Sequence, residues 1–159
     1  MNRKEEADKD HVRLLRILFA LYILVVIRLL IFKYPYSELK AIMDTWKKGV
    51  ILEGLYSANF TPFKTIKMYI RYAYMLNSFE NLAGNVVVFL PFGYLLPCIS
   101  RSAKNGLMLT GYAFFFSLSI ELFQLFSAFG AFDVDDLMLN TLGAVIGFLV
   151  YRMNRKLFR

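Results

Sequence analysis

Near the C-terminus of the chain, the stretch FDVDDLMLNTLGAVIG (Phe132 to Gly147) gathers three carboxylates, a carboxamide and two glycines. Asp133, Asp135 and Asp136 are oxygen donors, and Asn140 follows Asp136 at the i, i+4 spacing that shares a helix face. Carboxylates at this density hold a cation, move a proton or cap a helix start. Two further polar pairs stand in otherwise apolar sequence: Asn81 and Asn85 four apart, Glu121 and Gln124 three apart. Glu121 is the one acidic residue between Asn81 and Phe132. A carboxyl at membrane depth is costly unless it faces protein or a water-filled cavity, so Glu121 is a site candidate.

Composition removes several other chemistries. The single histidine, His11, lies in a polar tail, and the single cysteine, Cys98, lies in an apolar run. Histidine-based zinc sites, Ser-His-Asp hydrolysis, cysteine metal clusters and internal disulfides lack their residues. Ser117 and Ser119 have no basic partner in reach by spacing. The chain of 159 residues is 58% hydrophobic, with a mean hydropathy of +0.48. Its formal net charge of +7 then fits lipid headgroups and membrane topology, not nucleic acid.

The elements that must position these groups are membrane helices. Residues 1–13 form a mixed-charge tail leading into a first span at 14–32, read as a retained anchor because no small-residue cleavage site follows it. Arg16 and Arg28 stand near its two ends, where long cationic side chains snorkel; Arg28 is also a candidate anion or ion-pair contact. Residues 33–80 form an interfacial connection. Leu39, Ile42, Met43, Trp46 and Val50 predict one amphipathic helix with Lys40, Asp44, Lys47 and Lys48 opposite. Thr61 and Pro62 predict the N-cap and first position of a second, with Phe63, Ile66, Ile70 and Ala73 on one face and a tyrosine belt from Tyr69 to Tyr74. The core spans 81–151, with helices at about 82–99, 107–129 and 137–151, Pro91 and Gly93 loosening the first of these. A basic tail, 152–159, closes the chain. The expected fold class is an all-α membrane bundle of about four spans plus short interfacial helices.

Lysines and arginines of the tail, the 100–106 loop and the C-terminus fall on one side of a four-span chain, which the positive-inside rule makes cytoplasmic. The polar groups then meet at the outer end of the bundle. At 15 residues the helix at 137–151 would be roughly 22 Å long against a core of about 30 Å, drawing its acidic head toward lipid. The plainer readings are an acidic helix N-terminus for the Asp run, helix packing for Gly143 and Gly147, and interhelical hydrogen bonding for Asn81 and Asn85.

ANFTPFKTI, NLAGNVVVFLPFGYLLP, IELFQLF and FDVDDLMLNTLGAVIG, over roughly residues 59–151, resemble successive blocks of the VanZ-like family. These are small bacterial membrane proteins named for a member associated with low-level teicoplanin resistance. Carried over position by position, the resemblance marks Asn81, Asn85, Pro91, Gly93, Glu121, Gln124, Asp133, Asp135, Asp136, Asn140 and Gly143. Many relatives place an Arg before the acidic block; here Phe129-Gly130-Ala131 stands there, leaving Arg28, Lys64 or Lys67 to supply any such charge. The resemblance implies a multi-pass protein of the bacterial cytoplasmic membrane that reduces susceptibility to a lipidated glycopeptide; the basic residues put both termini in the cytoplasm. Its ligand would be an amphiphile or envelope lipid held by Asn81, Asn85, Glu121, Gln124, Asp133, Asp135, Asp136 and Asn140 without catalysis or cofactor. The alternative is an intramembrane enzyme on a lipid-linked precursor, with Glu121 as general base or Mg²⁺ on Asp133, Asp135 and Asp136. A third reading is an assembly partner of another membrane protein.

Overall fold

A computed structural model describes residues 3–32, 35–44, 46, 49–72 and 78–157. Lys47 and Lys48 of the expected polar face, Ala73 and Tyr74 of the expected apolar face and belt, and Arg159 lie outside them. Four long helices form the frame: α1 (Arg3–Leu30), α5 (Ser78–Ile99), α6 (Gly106–Ser127) and α7 (Val134–Leu157). Three short ones, α2 (Tyr36–Asp44), α3 (Gly49–Ser57) and α4 (Lys64–Arg71), connect the first two long helices. Among the described residues there is no strand, only one isolated parallel bridge between Asn59 and Asp133.

Among the described residues, three helices are long and apolar enough to cross a membrane, at Glu80–Ile99, Gly106–Ser127 and Val134–Arg155. Only 22%, 28% and 39% of their apolar windows are buried within the chain, so most of that apolar surface points outward. Water would penalise such a surface, whereas lipid solvates it. α1 is not among these three spans. It begins at Arg3, so the polar tail continues the same helix.

α5 and α7 make the closest helix pair. A methyl group added at Gly143 would overlap the Val86 carbonyl, one at Gly147 the Leu90 carbonyl, and one at Gly93 the Ala144 carbonyl. The glycines therefore let two backbones touch, the packing that small residues at four-residue spacing provide in membranes. Pro91 and Pro97 both stay inside α5. Proline removes a donor to the carbonyl four residues back, here Val87. Beside it the Tyr22 hydroxyl of α1 donates to the Val88 carbonyl at 2.7 Å, and Phe19 of α1 packs on Phe92 with ring centroids 5.7 Å apart.

Several expectations change. α7 has 24 residues, about 36 Å at the helical rise, so it is not too short for the bilayer and its acidic head needs no dragging toward lipid. Arg152 and Arg155, beyond the expected end at residue 151, continue an exposed helical end. The single amphipathic helix through Trp46 is instead two, α2 and α3. Trp46 donates its indole N–H to the Phe126 carbonyl at 3.2 Å, fastening the break to the end of α6. Thr61 does not cap α4: the residue before that helix is Phe63, left-handed at φ 64° with no capping side chain of its own.

Gly143→Leu, which must separate α5 from α7, should cost about 3 kcal/mol or more of stability. Gly84→Ala, with nothing within 4 Å of the new methyl, should be neutral or stabilise by up to about 1 kcal/mol. Thermal midpoints of the two purified variants in one detergent distinguish these outcomes.

Candidate functional site

The helix N-terminus at Val134 shows how three neighbouring carboxylates acquire three tasks. Successive helical residues point about 100° apart, so Asp133, Asp135 and Asp136 cannot share one target. Asp133 is the N-cap of α7: its Oδ1 accepts the Asp135 backbone N–H at 2.8 Å. The same carboxylate accepts from Asn59 Nδ2 at 2.8 Å and from the Thr65 hydroxyl at 2.5 Å. Asn59 closes the joint through its backbone, donating to the Phe132 carbonyl at 2.8 Å and accepting from the Val134 N–H at 3.0 Å.

Asp135 is fully buried and reaches across to α4. Its carboxylate accepts the backbone N–H groups of Phe63, Thr65 and Ile66 at 2.5, 2.7 and 3.1 Å. These are unsatisfied donors at the start of α4, where the helix dipole also favours an anion. The cap that α4 lacks in its own sequence is thus supplied by α7, from about 70 residues away in the chain.

Asp136 turns the other way, into a cavity of about 200 Å³ lined by Leu29, Leu30, Tyr69, Asn81, Asn85, Glu121, Gln124, Asp136 and Asn140. All four long helices and α4 contribute. Six of the eight residues expected to form the ligand site meet here, and Asp133 and Asp135 do not line it. Asn85 Nδ2 donates to Asp136 Oδ1 at 2.6 Å, bridging α5 and α7. Gln124 Nε2 donates to the Leu30 carbonyl at the end of α1, at 2.8 Å. The buried Glu121 accepts the Asp133 backbone N–H at 2.9 Å, so it also fixes the entry to α7. Asn140 Nδ2 donates to Ser117 Oγ at 2.9 Å, while its buried Oδ1 has no partner.

Cationic contacts fall elsewhere. Arg28 is exposed and its guanidinium donates to the Phe32 carbonyl, closing its own helix end. Lys64 and Lys67 are exposed on α4, and none of the three lines the cavity. Nor do the three aspartates converge on a common point. Among the described residues no group of three or more His, Cys, Asp or Glu side chains is placed to hold a metal ion.

Tyr69 was read from the sequence as a headgroup-belt residue, but α4 turns it into the cavity wall. Partial burial, then the charges of Asp136 and Asp133, hold its phenol above the ordinary value, opposed by a hydrogen bond with Asn81. The sequence reading also passed over Asn59 and Thr65, for which spacing offers no signal. Ser117 did carry one, since 117, 121 and 124 form one stripe on α6.

Beside the cavity, toward the ends of α1 and α6, lies an apolar surface. One groove of about 460 Å³ is lined by Phe32, Met43, Trp46, Phe123, Ser127 and Phe129. A neighbouring one of about 310 Å³ shares Phe32, Met43 and Phe129 and extends along α2. Leu30 and Gln124 wall the polar cavity while Phe32 and Phe123 wall the larger groove, so the polar and apolar sites occupy the same end of the bundle.

Apolar helices joined by glycine contacts around a polar cavity define a helical membrane protein. The chain belongs to the VanZ/LLP1 family, whose family model matches residues 19–158. It is 31% identical over 141 residues, 87% of this chain and 74% of the relative, to Protein VanZ of Enterococcus faecium. No solved structure matches it significantly.

Asp135→Asn keeps the shape but removes the charge and one acceptor from the α4 start. Hydrogen bonds to charged groups contribute about 1.5–3 kcal/mol each, so a loss of about 2 kcal/mol or more is expected. Limited proteolysis should then cut within residues 57–66 at protease levels that spare the wild type, while Asp136→Asn leaves that segment protected.

Proposed function

We propose that this protein lowers the susceptibility of a bacterial envelope to a lipidated, teicoplanin-like glycopeptide by binding an amphiphile at the polar cavity. The observation that carries this reading is the convergence of polar side chains from α4, α5, α6 and α7 on one cavity, closed by Leu29 and Leu30 of α1 and lying beside apolar grooves. Seven of the nine lining residues are polar, which suits a headgroup and not an acyl chain. The grooves around Phe32 and Phe129 suit the chain. The amphiphile is the drug itself or an envelope lipid with which the drug competes. The function is binding without turnover. The metal-dependent alternative has less support, because Asp133 and Asp135 already accept several hydrogen bonds each from the 59–66 segment.

The reading includes α1 as a fourth span. Leu14, Ile17, Leu21 and Leu24 are exposed on it, an apolar face that calls for lipid. Four spans place both termini and the 100–106 loop in the cytoplasm, with the cavity in the outer half of the bilayer of the bacterial cytoplasmic membrane. The cytoplasmic segments are then 1–13, 100–106 and 152–159, and 33–80 covers the outer end.

Wild type, Asp136→Asn and Glu121→Gln should be compared in a susceptible Gram-positive host at equal membrane abundance. Protection against a lipidated glycopeptide, absent against a non-lipidated one and reduced at least fourfold in either variant, is the expected result. Equal protection by all three proteins would sink the binding reading. For topology, single cysteines at Lys104→Cys and Ser57→Cys in a Cys98→Ser background should label oppositely. The membrane-impermeant thiol reagent is expected to reach position 57 in intact cells and position 104 only after permeabilisation; the reverse pattern overturns the orientation.

A further inference from the structure

The polar cavity is built to receive hydrogen-bond donors. Four of its lining side chains are primary amides, and three of them each commit one N–H to a protein acceptor. Asn85 donates to Asp136, Gln124 to the Leu30 carbonyl, and Asn140 to Ser117. A backbone carbonyl only accepts, so the Gln124 amide can be oriented only this way, with its oxygen left over. The pairing of Asn85 with a carboxyl oxygen sets that amide likewise. Asn140 Oδ1 is buried, unpartnered and part of the cavity wall. A buried acceptor left without a donor costs on the order of 1–3 kcal/mol, so the site gains from any ligand that supplies an N–H there. Glu121 and Asp136 add two carboxyl groups to the same wall, and no Lys, Arg or His stands among its described lining residues.

Resting on the amphiphile reading above, we infer that the headgroup taken by this cavity is a protonated primary or secondary amine, with Asn140 Oδ1 as one acceptor. A phosphate or sulfate head sets negative charge against the Glu121 and Asp136 carboxyl groups and is disfavoured. A quaternary ammonium brings charge but no N–H, and leaves Asn140 Oδ1 as it was. An alcohol brings one donor and no charge. The amine is carried either by the drug or by a bilayer lipid.

The chain has one tryptophan, Trp46, which lines the neighbouring apolar groove and so reports on a tail placed there. The full-length protein in nanodiscs of anionic, amine-free phospholipid is titrated with sixteen-carbon probes brominated near the chain end. Four heads are compared: primary amine, trimethylammonium, alcohol and phosphate. The amine should quench Trp46 saturably, with half-saturation at least tenfold below the other three. The double variant Asn140→Leu/Ser117→Ala removes the orphan acceptor together with its partner and should bring the amine to the level of the alcohol, with an unchanged or higher thermal midpoint. A merely structural role for Asn140 would instead lower the midpoint and spare amine binding. Equal quenching by all heads, or by trimethylammonium and amine alike, overturns the amine assignment and leaves amphiphile binding standing. Absence of saturable quenching from every head overturns both. Competition with the amine probe then separates the sources: a lipidated glycopeptide bearing a free amine points to the drug, phosphatidylethanolamine to the bilayer. Competition by neither overturns assignment of a natural amine from these sources.

Discussion

The direct backbone contact between α5 and α7 is the constraint from which the rest follows. In lipid there is no hydrophobic drive to bring two apolar helices together, so close approach and dispersion must do it. Gly143 and Gly147 on one helix and Gly93 on the other permit that approach. The stripe of α7 that carries the glycines continues toward its N-terminus through Asn140 and Asp136. Where the stripe is glycine the helices touch; where it is amide and carboxyl they are held apart by side chains, and the cavity opens. The seam thus sets the register that places Asn85 opposite Asp136.

The acidic head of α7 illustrates why a run of like residues should not be read as one site. Asp133 closes its own helix, Asp135 closes a different helix, and Asp136 faces the cavity. The first two supply most of what fastens the 59–66 segment over the bundle, and that segment in turn delivers Tyr69 to the cavity wall. Structural and ligand-facing roles are therefore coupled through two adjacent residues. Loss of activity on substituting Asp135 says little about ligand contact, whereas Asp136 is separable because its partner Asn85 lies in the cavity itself.

Much of this was legible in the sequence. Hydropathy located the three apolar spans, and the resemblance carried by the ordered blocks is borne out by family membership. Six of the eight expected site residues meet because each was a polar residue breaking an apolar helical pattern near the same end, a signal that survives without coordinates. What was not legible depended on partners distant in the chain. Nothing near Phe63 announces that its helix is capped from Asp135, and the break at Trp46 follows from a bond to α6, not from local propensity. The end of α7 was misplaced for another reason: charge marks the boundary of a membrane, and a helix continues past it wherever its backbone hydrogen bonds continue.

The division between polar cavity and apolar groove also bears on what kind of activity the fold can support. A hydrolytic or transfer reaction needs a nucleophile held against a base, and here the buried Ser117 hydroxyl is paired with the Asn140 amide. Glu121 accepts the Asp133 N–H and so ties the cavity wall to the entry of α7. Such groups hold position. A polar cavity lined from five helices, with the buried Asn140 Oδ1 left without a donor among the described residues, discriminates by what it accepts. Under the binding reading proposed above, specificity lies in the hydrogen-bonding capacity of the headgroup, with the apolar grooves contributing affinity for a tail of suitable length.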